Sequence, residues 1–190
     1  IQACTKCGNM VMPGTKLMLR KVPVDSTSID ALFIAEVANY PRACVPFHHS
    51  FRGSSVRNFY KLVEESGFKD TVYSIMNCMF CVPEITRHNN KCAEHCIPNL
   101  VTMISYYNPL LIVTLGRTAL ISCMKAAGSD ASNLNLSSVV GVEMSCMNKV
   151  LVPLYHPSGQ CVASTRSMVE QLNDYIGALN TLRRIKDVRP

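Results

Sequence analysis

Four runs of apolar residues punctuate the chain, and each gives way to a residue with chemistry of its own. Ala31 to Val37 carries Glu36 near its end. Thr71 to Met76, with its apolar core at Val72 to Met76, leads into Asn77. Leu110 to Leu115 leads into Gly116, and Val150 to Leu154 leads into Tyr155-His156-Pro157-Ser158-Gly159. Runs that are continuous, not alternating, mark strands covered on both faces, as in a parallel sheet. Between them lie stretches of helical period. Val56, Phe59, Tyr60 and Val63 mark one face of a helix that Ser54 or Ser55 would cap and Gly67 would end. A second helix is predicted from Cys92 to about Tyr107, stopped before Pro109, and a third from Arg117 to Ala127, with Gly128 after it. A last one spans about Thr165 to Ile185, with Met168, Val169, Leu172, Tyr175, Ile176, Leu179 and Leu182 on its buried face. Arg183, Arg184 and Lys186 at its end suit the helix dipole. Residues 38–55 are irregular, 84–91 form a polar loop, and the Ser/Asn-rich stretch 129–148 reads as a loop or hairpin.

Strands alternating with helices predict a three-layer α/β/α sandwich around a mainly parallel four-stranded sheet, with residues 1–190 as one domain. In open sheets of this kind ligands bind outside the carboxyl ends of the strands. Glu36, Asn77 and His156 fall at three such ends, which makes that edge the candidate site.

Composition narrows the class. At 190 residues with 48% hydrophobic and 17% charged residues, the chain can bury a full core and is not of disordered type. The net charge of +6 suits a polyanionic partner such as DNA. No secretory apolar stretch stands near the start, and the longest apolar runs are far shorter than a membrane span, so an intracellular chain is expected. Nothing in the helices argues for an oligomer, so a monomer is expected.

The ten cysteines matter in that light, because clustered cysteines in an intracellular chain read first as ligands of a metal or cluster. Cys4-x-x-Cys7-Gly8 is a tight turn that can present two thiolates together. Cys78, Cys81, Cys92 and Cys96 lie within nineteen residues, and Cys78-x-x-Cys81 and Cys92-x-x-x-Cys96 are plausible pairs in their own right. An iron–sulfur cluster, a zinc site and free thiols all remain open from spacing alone.

An ordered set of short motifs resembles the uracil-DNA glycosylase superfamily, and within it the iron–sulfur-containing group called family four. The set comprises Cys4-x-x-Cys7, Glu36 after an apolar strand, Pro46-Phe47, Asn77 with Cys81 and Pro83, Cys96-Ile97-Pro98-Asn99-Leu100, Leu115-Gly116-Arg117, and His156-Pro157-Ser158. The likeness covers nearly the whole chain. It implies a [4Fe–4S] cluster held by Cys4, Cys7, Cys81 and Cys96, with zinc as the alternative, in a structural role beside a DNA-binding cleft. It implies hydrolysis of the N-glycosidic bond of uracil flipped out of DNA, leaving an abasic site in base excision repair. Glu36 and His156 would be catalytic, Phe47, Asn77 and Ser158 would hold the base, and Arg117 and Arg166 would face DNA.

The residue chemistry agrees. Phe47 offers a stacking face. The Asn77 carboxamide offers one donor and one acceptor, matching O4 and N3–H of uracil and mismatching cytosine. His156 could donate to O2 as negative charge builds there, and Glu36 could orient water or balance the positive sugar. Each also has an ordinary reading: Asn77 capping a turn, Glu36 a paired carboxylate at a strand end, His156 a turn histidine, Phe47 plain core, Arg166 a solvated residue at a helix start. The sequence departs from the family around Glu36, where Ala35-Glu36-Val37-Ala38-Asn39-Tyr40-Pro41-Arg42 lacks the usual acidic run, and after Phe47, where His48, His49 and Arg52 replace small residues. These departures bear on the base chosen. They leave open a relative acting on another modified pyrimidine, or one that binds DNA or uracil without cleavage.

Overall fold

The computed structural model describes residues 7, 10–12, 28–36, 53–80, 82–83 and 90–188. The apolar runs form the strands β2 (Ala31–Ala35), β3 (Tyr73–Asn77), β5 (Leu111–Leu115) and β7 (Lys149–Leu154), after a short β1 (Met10–Met12) that pairs with β4 (Val82–Pro83). A fifth strand, β6 (Met144–Cys146), joins the central sheet, whose order is β3-β2-β5-β7-β6. The first four run parallel and β6 is antiparallel to β7. The sheet is therefore one strand wider than the sequence predicts. β6 escapes the hydrophobic pattern because it is three residues long and buries only Cys146. Its turn, Met147-Asn148, has φ of 50° and 60°, the left-handed pair that a two-residue hairpin requires.

Helices cover both faces. Alternation sends Leu32, Ile34, Met76, Ile112 and Leu151 to one side, where α2 (Asn90–Tyr107), α3 (Arg117–Ala126) and the short α4 (Leu136–Val139) pack. It sends Ala31, Phe33, Tyr73, Val113 and Val152 to the other, against α1 (Ser54–Ser66) and α6 (Met168–Asp187). This is the three-layer sandwich expected.

Three local expectations need correction. The cap of α1 is Gly53, with no side-chain cap bond, and Tyr60 is exposed while Leu62 takes the buried position. The last helix starts at Met168, not near Thr165, because Ser167 and Glu170 form a capping box, and a short helix that was not expected, α5 (Gly159–Ser164), precedes it. The buried stripe of α6 runs through Gln171, Tyr175, Ala178, Leu179 and Leu182, leaving Val169 70% exposed. The basic end of α6 does more than face a dipole: Arg184 binds Glu143, and Lys186 binds Asp30 at 2.7 Å. Among the described residues no helix is long and apolar enough to cross a membrane.

Candidate active site

Register places the candidate residues along one edge. Ala35 pairs with Asn77, so Glu36 leaves β2 beside the end of β3. Leu115 pairs with Leu154, so Gly116 leaves β5 beside the start of the Tyr155-His156 turn. The order Asn77, Glu36, Gly116, His156 thus follows four adjacent parallel strands. Three interstrand steps of about 4.8 Å separate the outer two by about 14 Å.

Gly116 is suited to this edge by its backbone conformation more than by space. Its φ of 97° is in the left-handed region, and a Cβ there would lie 3.4 Å from the Cβ of His156. His156 is half-buried, and burial holds its imidazole below the ordinary histidine value while the Glu36 carboxylate pulls it back up. The Glu36 carboxylate therefore acts on the His156 imidazole electrostatically across the β5 exit. Asn77 is 8% exposed at the end of its strand.

Cys78 ties the two acidic and amide strand ends together. Its N–H donates to Ala35 O at 2.7 Å, its thiol donates to Glu36 O at 3.3 Å, and the next N–H, of Met79, donates to the same oxygen at 3.0 Å. Burial pushes the Cys78 thiol up to about 12, so it is a protonated donor at neutral pH. Spacing alone offers Cys78 as a ligand; nothing in that spacing reveals this bond.

The His156 turn is braced around its backbone. Ser158 N–H donates to His156 O at 2.8 Å, and the Ser158 hydroxyl caps α5 by accepting from Cys161 N–H at 3.2 Å. Arg166 holds Asp174 through two bonds, at 2.7 and 2.6 Å, with its guanidinium 5.9 Å from the centre of the Tyr155 ring. Arg117, at the start of α3, donates to the carbonyls of Leu134 and Ser132 at 3.0 and 2.8 Å, and lines a cavity of about 220 Å³ between α2 and α3. Sequence reasoning missed Asn58, Tyr155 and Asp174 as parts of this edge; a polar residue on a surface helix carries no signal of where its partner lies.

The cysteine calls divide. Cys4 and Cys81 lie outside the described residues, as do Phe47, His48, His49 and Arg52. Cys7 Sγ lies 3.3 Å from His95 Nδ1, which places it beside α2 one residue from Cys96. Cys96 is 5% exposed and falls well inside α2, which starts at Asn90 and accommodates Pro98, so the helix does not begin at that cysteine. Cys92 is half-buried against the core of this layer. Among the described residues no group of three or more His, Cys, Asp or Glu side chains is arranged to hold a metal ion.

A parallel sheet between helical layers, with a carboxylate, an amide and a partly buried imidazole at its carboxyl edge, defines an α/β protein whose candidate site lies at the strand ends. The family model of the uracil DNA glycosylase superfamily matches residues 35–180, from the end of β2 into α6, and the chain belongs to that superfamily. No curated protein gives a significant match. Membership carries with it DNA as the macromolecule acted on and glycosylase-type hydrolysis as the class of chemistry.

Proposed function

We propose that the chain excises uracil from DNA. The observation that carries this reading is the placement of Asn77, Glu36 and His156 at the carboxyl ends of three strands of one parallel sheet, with the Glu36 carboxylate acting on the His156 imidazole. Asn77 reads O4 and N3–H of the flipped base. His156, kept below its ordinary value by burial, is a neutral N–H donor aimed at O2, where charge accumulates as the glycosidic bond breaks. A preorganised donor of this kind contributes about 3–4 kcal/mol. Glu36 orients the attacking water. All three come from one chain, so a monomer suffices.

The same reading gives the cysteines a role. Cys4, Cys7, Cys81 and Cys96 would hold a [4Fe–4S] cluster, which would supply a structural tie between the start of the chain and α2; zinc is the alternative. The support is the thiolate chemistry of the set and the contact of Cys7 with the residue next to Cys96.

The test is base release from an oligonucleotide with a single uracil, run on anaerobically purified protein whose visible spectrum and iron content are recorded first. Asn77→Ala and His156→Ala should each lower the single-turnover rate by about 100-fold to 1,000-fold with the fold intact. Release from 5-substituted uracils and none from uracil would reassign the base. Salt-sensitive binding with no abasic product would make this a binding protein. Colourless protein carrying zinc would overturn the cluster.

A further inference from the structure

The turn that carries His156 is gripped from α1, an element remote in sequence. Asn58, half-buried in the second turn of α1, donates its Nδ2–H to the carbonyl oxygen of Pro157 at 3.0 Å. The two elements are in direct contact there: a Cβ built on Gly159 would lie 3.3 Å from the hydroxyl of Ser54. Pro157 is buried and has no N–H, so its carbonyl is its sole polar backbone group. A buried carbonyl that loses its donor must either stay unsatisfied, which is costly, or turn towards water. Turning it rotates the Pro157–Ser158 peptide, whose N–H is the group that binds His156 O.

We propose that Asn58 is a positioning residue for His156. Its carboxamide fixes the Pro157 peptide and thereby the direction in which the imidazole is presented to the base; this rests on the reading of His156 as the donor to the leaving base. The chemistry required is specific. The acceptor is a carbonyl, so the partner must donate, and an isosteric carboxylate cannot. The other braces of the turn act from different directions: Ser158 N–H binds His156 O from within, and the Arg166–Asp174 pair packs behind Tyr155. Among the described residues Asn58 is the side chain of α1 that holds Pro157, so it ties the His156 turn to that helix. Among the described residues the Glu36 carboxylate is the charged group that acts on the imidazole, and Arg166 and Asp174 neutralise each other in their own ion pair.

The experiment compares wild type with Asn58→Ala and Asn58→Asp in single-turnover base release, in KM, in thermal midpoint, and in the titration of His156 followed by NMR. For Asn58→Ala the rate should fall about fivefold to tenfold, the worth of one hydrogen bond near 1 kcal/mol, with KM within about twofold and the fold retained. The His156 titration should move up towards the ordinary histidine value as the turn admits water. Asn58→Asp, which sets acceptor against acceptor, should lose more rate. A folded Asn58→Ala protein with wild-type rate and unmoved His156 titration would overturn the proposal. So would a rate loss no larger than its loss of folded protein. Wild type that releases no base would defeat the glycosylase reading instead, and the His156 titration in Asn58→Ala would still decide the positioning role.

Discussion

The two faces of the sheet are built from different materials. On the α1/α6 face, Phe33 meets Phe59, Phe68 and Tyr73 edge-to-face at centroid distances of 5.2, 5.1 and 5.8 Å, and Tyr175 stacks on it at 5.9 Å. On the α2/α3 face the core is rich in sulfur: Met76, Cys78, Met79, Cys96, Cys123, Met124 and Cys146. Rings locked in T-shaped contacts admit few alternative arrangements. Thiols and thioethers fill irregular gaps and tolerate repacking. The rigid face carries the α1 and α6 braces of the His156 turn. The adaptable face carries α2, where Cys96 lies. Cys123 and Cys146 are packing material there, since burial pushes Cys146 up to about 11 and Cys123 well above its usual value, leaving both protonated.

The largest expected effect tests that asymmetry directly. Phe33→Ala removes the hub of five rings from a fully buried position, and should cost about 3–5 kcal/mol in unfolding free energy by urea denaturation. Its counterpart on the other face, Cys123→Ala, removes one heavy atom from an equally buried site and should cost about 1 kcal/mol. Equal losses would mean the sulfur layer is as interlocked as the aromatic one, and the contrast between the faces would fall.

How much of this was legible beforehand follows the same divide. The strands β2, β3, β5 and β7 are readable because a strand covered on both faces must be apolar throughout, whichever material covers it. The candidate edge is readable because Glu36, Asn77 and His156 interrupt apolar runs where a parallel sheet leaves its carboxyl ends. The start of α6 is written in Ser167-x-x-Glu170, a capping signal that places it a few residues beyond Thr165. β6 is hidden by its shortness and half-exposure. The rotation of the α6 stripe towards Gln171 could not be read, because Val169 and Ile176 have the right chemistry and only the docking angle leaves them outside. The bonds of Cys78 to Glu36 and of Asn58 to Pro157 join residues far apart in sequence, and no local pattern encodes them.

The smallest effect concerns the place where the two faces meet. By alternation Asn77, in line with Ala35, belongs to the aromatic side, and Glu36 and Cys78 belong to the sulfur side. His156 feels both: burial in the braced turn lowers its proton affinity, and the Glu36 carboxylate raises it. Because burial is the larger cause, the folded protein binds this proton more weakly than the unfolded chain, whose value is 6.5. The resulting contribution to stability is complete above about pH 6.5 and is lost as pH falls through the lower folded value, since the unfolded state then binds the additional proton. Glu36→Gln keeps the shape and removes the charge. The His156 titration, followed by the imidazole proton signals, should then move further down, and the acid limit of stability should sharpen. A midpoint that does not move would mean the carboxylate is too well screened to reach the imidazole. Glu36 and His156 would then act on the base independently, each from its own face of the sheet.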